Sequence, residues 1–418
     1  MRKSALHTKL FIALIIPLLV LIGCTSGPPK FKIGETWRSV LTNEADQQLP
    51  FNFDVVDGGN GKVALLIRNA EEKIVVDEVT FIEDSVFIKL PVFDTEFKGK
   101  LTQSGEIEGE WIKHYAKTTR SMPWKAWRNI QWRFSKTPDK PTANISGKWD
   151  ITFIYDGKDT TKAIGEFTQN GAKLKGTILT ATGDFRYLDG EVNGSKVSLS
   201  TFDGSHAFIF QADITENGEL ANGNFYSGTS YLENWSAVKD DSVSLPNAYD
   251  LTYIKEGFDS VFFTFPNLDN QLVSLSDEKY KDKVVLIQIM GSWCPNCMDE
   301  TSFYSDYFKN HKEEGLEIIA LAYERSENFE KEKKNLERLI KRFGVEYDVL
   351  LAGLADKKKA NETLPMLNHV LSFPTTIYID KKGKVRRIHT GFSGPGTGHH
   401  YDAFVDEFEQ FMQTLLNE

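Results

Sequence analysis

The sequence predicts a multidomain protein in which an all-β N-terminal region is followed by a C-terminal α/β domain. In residues 30–240, short runs of alternating apolar and polar residues are separated by turn dipeptides, a pattern typical of antiparallel strands. After residue 240, apolar strands alternate with longer helical patterns, which indicates a sheet with helices on both faces. The length agrees, because 418 residues exceed what one hydrophobic core normally holds.

The composition of the chain argues against nucleic-acid binding. The net charge is −10, and no stripe of basic residues interrupts the acidic balance. Residues 394–398, Gly-Pro-Gly-Thr-Gly, lack the lysine and the strand–helix spacing of a nucleotide-binding loop, so we expect a turn into the last helix. The sequence predicts neither a cofactor nor a metal.

Residues 1–23 predict a lipoprotein signal peptide. A basic start precedes the apolar run Leu10–Ile22, which Pro17 interrupts and which is shorter than the about 20 residues of a membrane span. The run ends in Gly23-Cys24, which resembles the bacterial lipobox and implies cleavage before Cys24 and lipidation of its thiol. Residues 24–29 then form a tether. We expect the protein on the periplasmic face of the cell envelope, held to the outer membrane by this lipid; an uncleaved anchor with an idle cysteine is the alternative.

The all-β region is predicted to contain two similar units of about 110 residues, 30–135 and 143–240. Five sets of residues recur in the same order at an almost constant offset. They are Trp37 and Trp149; Val86 and Val197; Phe93-Asp94 and Phe202-Asp203; Gly105-Glu106-Ile107 and Gly218-Glu219-Leu220; and Trp124-Lys125-Ala126 and Trp235-Ser236-Ala237. A linker with Pro138 and Pro141 falls at the expected boundary. Chance similarity between two β-rich segments is the alternative.

Turn dipeptides predict where the hairpins of this region lie. Asn-Gly and Asp-Gly supply the positive φ angles that tight hairpins need. The pairs are Asp57-Gly58, Asn60-Gly61, Asn170-Gly171, Asp189-Gly190, Asn193-Gly194 and Asn217-Gly218. We expect a turn at each of them.

The C-terminal domain is predicted over residues 265–418, after a connecting segment at 241–264. Strands are expected at Val284–Met290, Leu316–Ala322, Tyr347–Leu351 and Thr375–Ile379, with Lys384–His389 as a hairpin partner. Helices are expected from the first of these strands to about His311, at Glu327–Phe343 and at Tyr401–Leu416.

Cys294 and Cys297 form a dithiol in Trp293-Cys294-Pro295-Asn296-Cys297, directly after the first of these strands. A thiolate at a helix N-terminus is stabilised by free backbone N–H groups and the helix dipole, which lower its pKa. Pro295 suits the first helical position, where its missing N–H would have no partner. Cys297 follows one turn later, close enough to form a disulfide with Cys294. The motif therefore predicts thiol–disulfide exchange.

Two other uses of this cysteine pair fit the sequence less well. A structural zinc site needs about four ligands, and the chain has neither a second cysteine pair nor a histidine close to His311 in sequence. A permanent structural disulfide between residues three apart would close a very short loop, so it would add little stability.

Residues 265–418 resemble the thioredoxin superfamily and, within it, the membrane-tethered TlpA/ResA-like disulfide reductases of the redoxin (AhpC/TSA) grouping. The dithiol motif, the acid Glu300 and the segment Ser372-Phe373-Pro374-Thr375-Thr376 before a strand carry the resemblance. It implies that Cys294 is the attacking thiol and Cys297 the resolving thiol. It also implies that Pro374, preceded by Phe373, is a cis-proline that faces the dithiol and helps to dock the partner chain.

Three further residues near the dithiol follow from the same resemblance. Glu300 matches a buried acid that tunes the thiol pKa values in ResA-like proteins; an exposed glutamate in the first helical turn is the alternative. Gln288 departs from thioredoxin, which has a buried aspartate there, so proton transfer to Cys297 is left to Glu300 or to water. Trp293 is expected to shape the docking surface, with plain core packing as the alternative.

These features predict a lipid-anchored thiol–disulfide oxidoreductase that reduces exported proteins carrying cysteines or disulfides. The resemblance implies a membrane electron donor of the DsbD/CcdA type. A peroxiredoxin-like peroxidase is one alternative, although such enzymes have threonine where Cys294 stands. A binding protein, whose β-units capture a ligand beside a passive thioredoxin-like module, is the other.

Two histidine-containing segments are further candidates. Phe202-Asp203-Gly204-Ser205-His206 could form a ligand or partner site, although a lone histidine in a hairpin is more often structural or solvated. His399-His400 could bind a metal, but adjacent histidines at a turn into a helix usually do not.

Overall fold

The computed structural model describes residues 31–115 and 117–418. The predicted signal peptide, the tether and the lipidation site Cys24 lie outside these residues. Within the described parts of the chain, no helix combines the length and apolar character that crossing a membrane requires. The described chain is mostly β, with a β-rich N-terminal region and an α/β C-terminal domain.

The first β-unit is a nine-stranded antiparallel sheet in which consecutive strands pair with each other, except β4 and β5 at its two ends. Its strands are β1 Thr36–Thr42, β2 Gln48–Gly59, β3 Lys62–Asn69, β4 Glu72–Val76, β5 Glu78–Ile82, β6 Ser85–Lys89, β7 Thr95–Leu101, β8 Ile107–His114 and β9 Thr119–Arg128. The order is β4-β3-β2-β1-β9-β8-β7-β6-β5, so the last strand returns to pair with the first. The sheet curls around a core that contains Trp37, Trp111 and Trp124.

The second β-unit is a closed antiparallel barrel. Its strands are β10 Gly147–Tyr155, β11 Asp159–Asn170, β12 Lys173–Thr180, β13 Gly183–Asp184, β14 Leu188–Asn193, β15 Lys196–Phe202, β16 Ala207–Ile214, β17 Leu220–Ser227 and β18 Tyr231–Lys239. The short β13 pairs only with β12; every other strand pairs with the next one, and β18 returns to β10. Trp149, Phe210 and Trp235 belong to its core.

The residues that suggested a repeat fall on corresponding strands of the two units. Trp37 and Trp149 lie in the first strand of their units, and Trp124 and Trp235 lie in the last. Both units also follow the chain from strand to neighbouring strand. That they are copies of one unit stays a prediction.

Two of the predicted turns were wrong, because their glycines lie inside strands. Asp57-Gly58 lies in β2, where the pairing with β3 shifts register. Asp189-Gly190 lies in β14, where a Cβ on Gly190 would stand 1.9 Å from the carbonyl oxygen of Ser198 on β15. Close cross-strand approach therefore explains this glycine. The other four dipeptides lie at hairpins.

The two β-units share a hydrophobic core. Phe202, Ala207 and Ile209, on the face of β15 and β16 that points away from the barrel interior, pack into the core of the first unit. Phe202 stacks on Phe51 with 4.5 Å between ring centroids. The buried Arg133 donates hydrogen bonds to groups of both units. The second unit thus completes the core of the first.

The C-terminal domain has a thioredoxin-like fold, a mixed five-stranded sheet with helices on both faces. After a small hairpin of β19 Thr264–Pro266 and β20 Leu272–Ser274, its elements are β21 Val284–Met290, α1 Pro295–His311, β22 Leu316–Glu324, α2 Phe329–Phe343, β23 Asp348–Leu354, α3 Lys357–Thr363, β24 Thr375–Ile379, β25 Val385–Thr390 and α4 His399–Asn417. The order is β23-β22-β21-β24-β25; the first three strands are parallel, β24 runs antiparallel to β21, and β25 runs antiparallel to β24. Helices α1, α2 and α4 pack on one face and α3 on the other.

Hydrophobic periodicity located most elements of this domain. The predicted strands Val284–Met290 and Thr375–Ile379 have these bounds, and the predicted end of α1 at His311 is confirmed. The expected turn at residues 394–398 is a 3₁₀ turn that leads into α4. Helix α3 and the β19–β20 hairpin were missed, because segments of seven and three residues are too short to show a period.

Candidate active site

The two cysteines lie where β21 ends and α1 begins, and they form a disulfide in this structure. Cys294 is the N-cap residue of α1, and its Sγ accepts a hydrogen bond from the backbone N–H of Cys297 at 3.2 Å. Pro295 occupies the first helical position, as predicted. A backbone N–H of the first helical turn therefore points at the sulfur of Cys294, which is where a thiolate would be stabilised.

The loop before β24 faces the disulfide. The Phe373–Pro374 peptide bond is cis, as predicted. Sγ of Cys294 lies 3.4 Å from the carbonyl oxygen of Phe373. The ring of Phe373 meets that of Trp293 edge to face at 5.6 Å between centroids, and the indole N–H of Trp293 donates to the carbonyl of Tyr323 at 2.9 Å. Trp293 and Phe373 thus hold the two loops beside the sulfurs.

Glu300 is buried behind the disulfide rather than exposed. It receives a hydrogen bond from Nε2 of Gln288 at 2.8 Å and another from Oγ1 of Thr376 at 2.9 Å. Burial raises the pKa of Glu300 to about 8, although these hydrogen bonds lower it. Gln288 cannot titrate, but its amide orients the carboxyl group that does.

A second buried acid beside the dithiol was not predicted from the sequence. Glu324, at the end of β22, accepts hydrogen bonds from the backbone N–H and the Oγ of Ser292 at 2.8 and 2.7 Å. Burial raises its pKa to about 8 as well. The carboxyl ends of the parallel strands β21 and β22 lie at the same edge of the sheet. An acid at the end of β22 could therefore have been predicted to lie near the dithiol that follows β21.

Residues 182–186 of the second β-unit lie across the active-site loops. The carbonyl oxygen of Thr182 accepts a hydrogen bond from Oγ of Ser372 at 2.8 Å. Asn296, between the cysteines, donates to the backbone carbonyl of Asp184 at 3.3 Å. The backbone N–H of Gly394, in the loop before α4, donates to the carboxylate of Asp184 at 2.8 Å. This segment, which we call the cover, therefore touches the first turn of α1 and the two loops before β24 and α4.

An ionic cluster fastens the cover to α1. Arg186, whose side chain is 14% exposed, pairs with Glu72 of the first β-unit and with Asp299 of α1. It also donates to the carbonyl of Pro295 at 3.2 Å. Burial raises the pKa of Asp299 to about 7, although Arg186 opposes this. With the cover in place, Cys294 is only 6% exposed.

The remaining histidine candidates lie at contacts between domains. Nε2 of His400, at the start of α4, lies 2.8 Å from Oε1 of Glu166 in the second β-unit, and His399 is close to the same carboxylate. A cation here would face the positive end of the α4 dipole, so we assign this group to the domain contact. His206 lines a separate cavity between the β-units.

Comparison with known proteins agrees with this geometry. The redoxin family profile matches residues 256–404. The thioredoxin-like protein YneN of Bacillus subtilis is 30% identical over 138 residues, which cover 33% of this chain and 73% of that protein. The chain belongs to the redoxin family of thioredoxin-like proteins.

Two thiol-disulfide oxidoreductases match a similar fraction of the chain. A solved thiol-disulfide oxidoreductase from Bacteroides fragilis has a TM-score of 0.27 and 17% identity, and covers 35% of this chain and 99% of its own. The thiol-disulfide oxidoreductase ResA of Bacillus subtilis is 28% identical over 148 residues, 35% of this chain and 74% of ResA. The C-terminal domain is a thiol–disulfide oxidoreductase domain of the redoxin family. The β-units lie outside the family match.

Proposed function

We propose that this protein is a protein-disulfide reductase of the cell envelope. The observation that carries the proposal is the position of Cys294, at the N-terminus of α1 and opposite the cis-proline Pro374, with the buried Glu300 behind it. The arrangement offers a stabilised thiolate, a surface for an extended partner chain and a group that can move a proton at neutral pH.

Reduction transfers two electrons from the dithiol to a client disulfide. The Cys294 thiolate attacks one client sulfur, forms an S–S bond with it and displaces the other client sulfur as a thiolate, which takes up a proton. Cys297 then loses its proton and attacks Sγ of Cys294. This breaks the mixed disulfide and releases the client sulfur that was bonded to Cys294, which leaves as a thiol after taking up a proton. The protein is left with the Cys294–Cys297 disulfide, the state seen here, and a dithiol donor must reduce it again.

Glu300 is the group best placed to handle the proton of the resolving step. It lies one helical turn after Cys297 on α1, and its raised pKa of about 8 lets it gain or lose a proton near neutral pH. An ionised carboxylate there would disfavour a second negative charge on the sulfurs. We assign Glu300 the role of proton carrier rather than nucleophile.

The cellular setting is part of the same proposal. The signal peptide 1–23 is cleaved, Cys24 carries the lipid, and the protein faces the periplasm from the outer membrane. Its clients are exported proteins with cysteines or disulfides, and its electrons come from a membrane donor of the DsbD/CcdA type. The lipobox-like Gly23-Cys24 supports the lipid anchor, and the similarity to thiol-disulfide oxidoreductases such as ResA supports clients that carry cysteines or disulfides.

Lipidation at Cys24 has a direct test. Cys24→Ala should move the protein from the membrane fraction to the soluble fraction of fractionated cells, because the short apolar run before it spans a membrane poorly. Mass spectrometry of the wild type should find the mature N-terminus at Cys24. A processed Cys24→Ala protein that stays with the membrane would contradict the lipid anchor.

The two β-units also have a role in the proposed function. We propose that they are duplicated copies, and that the second copy restricts access to the dithiol through its cover segment, residues 182–186. The hydrogen bonds from Ser372 and Asn296 to this segment support the restriction. Equivalent positions of Trp37 and Trp149 on superposition of the units would support the duplication.

The exchange reaction is tested with insulin as the disulfide client and dithiothreitol as the electron donor. Wild-type protein should accelerate insulin reduction, and Cys294→Ser should abolish the acceleration. Cys297→Ser should accumulate a mixed disulfide between Cys294 and insulin, visible on a non-reducing gel. Glu300→Gln should fold and show an altered pH profile of exchange.

Two results would overturn these assignments. Preferential alkylation of Cys297 by iodoacetamide at low pH would move the nucleophile to that residue. Faster turnover of hydrogen peroxide than of insulin by the same preparation would favour the peroxidase alternative.

A further inference from the structure

A cavity of about 580 Å³ lies between the two β-units, and neither Cys294 nor Cys297 is among its described lining residues. One side is an end of the second-unit barrel, and the other side is formed by β8, β9 and the turn between them. Ligand sites have volumes of about 300–1,000 Å³ and favour domain interfaces and barrel mouths. The size and the position of this cavity are therefore those of a small-molecule site.

Aromatic side chains form the apolar wall of the cavity. They are Trp111, Phe185, Phe208, Phe225 and Tyr231. Phe208 lies two residues before the core residue Phe210 on β16, so its side chain is on the inner face at the end of the barrel. Its ring contacts those of Phe185 and Phe225 edge to face, at 5.5 and 5.4 Å between centroids. These rings give the cavity an apolar wall at the end of the barrel.

The polar end of the cavity is basic. Lys113, Arg120 and His206 line it, and no aspartate or glutamate is among its described lining residues. Lys113 is 8% exposed and donates to the carbonyl oxygen and the Oγ of Ser205. Nδ1 of His206 pairs with the buried carboxylate of Asp203 at 3.0 Å, which leaves Nε2 as the free ring nitrogen. The chain has a net charge of −10, so a cavity lined by basic residues favours anionic ligands at this site over the rest of the surface.

We propose that this cavity binds a small organic anion with an apolar body, such as an aromatic or aliphatic carboxylate. The anionic group would lie between Lys113 and Arg120, and the apolar body would lie against Phe185, Phe208 and Phe225. A desolvated cation bound to an anion gives a strong hydrogen bond, and the aromatic wall adds apolar burial. The site does not depend on the redox function.

Lys113 makes the expected affinity depend on pH. Burial and, to a smaller extent, the nearby Arg325 lower the pKa of Lys113 to about 7, although Asp203 opposes this. The ring of Tyr115, 5.6 Å from the ammonium group, and the imidazole of His206 also face it. Anion affinity should fall as the pH rises above about 7, because the amine then loses its charge.

The test uses 1-anilinonaphthalene-8-sulfonate as an anionic probe and N-phenyl-1-naphthylamine as its neutral analogue. Fluorescence titration of the wild type should show saturable binding of the sulfonate at one site. Lys113→Met and Arg120→Gln should each raise the dissociation constant of the sulfonate at least about tenfold, the loss expected for a charge-assisted hydrogen bond. Neither should change binding of the neutral probe as much. Lys125→Met, on the exposed surface of β9, is the matched control and should bind both probes like the wild type.

Competition distinguishes the two kinds of apolar body. Displacement of the sulfonate by 1-naphthoate identifies an aromatic ligand, and displacement by decanoate an aliphatic one; displacement by neither overturns the proposal. Unchanged sulfonate affinity in Arg120→Gln would also overturn it. Arg120 is exposed, so we expect this variant to fold like the wild type. Equal loss of both probes in both Lys113→Met and Arg120→Gln would show that the cavity does not recognise the anionic group and would overturn the proposal as well.

Discussion

At the scale of single residues, the buried carboxyl group of Glu300 makes the stability of the oxidised protein depend on pH. Its pKa is about 8 in the folded protein, mainly because of burial, and 4.5 in the reference state. Between these values the folded state binds a proton that the unfolded state has lost, so the free energy of unfolding falls as the pH rises. Glu300→Gln should therefore gain about 2 kcal/mol relative to the wild type between pH 6 and pH 8.5.

Urea unfolding of the disulfide form measures this difference, because the bonded cysteines do not titrate. Glu324 and Asp299 also have raised pKa values, but they are present in both proteins and their contributions cancel. Glu327→Gln, at an exposed position, is the control and should follow the wild type at both pH values. A stability difference that stays constant with pH would contradict the raised pKa of Glu300.

The reacting residues could be located from the sequence, but their buried partners could not. Cys294, Cys297 and Pro374 are recognisable because their chemistry needs a local motif. Glu300 followed from the family resemblance, whereas its bonds to Gln288 and Thr376 depend on packing between β21, α1 and β24. Such contacts join residues 12 and 76 positions apart, and no local pattern encodes them.

At the scale of elements, Arg186 should hold the cover on the dithiol. Arg186→Met keeps the side-chain stem but leaves the carboxylates of Glu72 and Asp299 without their partner. Breaking a buried ion pair from one side costs about 3–5 kcal/mol, so the variant should be clearly less stable than the wild type. In the reduced protein, iodoacetamide should alkylate Cys294 several-fold faster than in the wild type.

Lys175→Met is the matched control for this variant. Lys175 also joins the two β-units through an ion pair, with Glu71, but both side chains are about half exposed. Exposed pairs contribute about 0–1 kcal/mol, so this change should alter neither stability nor alkylation much. Equal alkylation rates in Arg186→Met and the wild type would show that the cover does not limit access.

The cover is an element that local sequence patterns could not predict. Periodicity and Asn-Gly turns predicted individual strands and hairpins, since both are local signals. The two-residue strand β13 and the segment after it are too short to give a pattern. Their contact with Asn296 in α1 and with the loop at Ser372 arises only when the domains assemble.

At the scale of the whole molecule, the shared core predicts that the two β-units unfold together. Phe202 belongs to the second unit but lies in the core of the first, against Phe51, Phe97 and Trp111. The sequence predicted two units with a boundary between them, and each does have its own sheet. Their dependence on each other could not be predicted, because an apolar residue in a strand does not reveal which core it enters.

Phe202→Ala tests this dependence. Truncating a buried phenylalanine costs about 3–5 kcal/mol, and here the loss should lower the stability of both units, since one side chain serves both. Unfolding in urea, followed by tryptophan fluorescence and by far-ultraviolet circular dichroism, should show one β-unit transition that moves as a whole to lower urea. Phe262→Ala, at a side chain that is 53% exposed, should change the midpoint little. In the contrary outcome, one β-unit of Phe202→Ala keeps its wild-type midpoint while the other unfolds at lower urea. That result would show that the units are independent and that Phe202 stabilises only one of them.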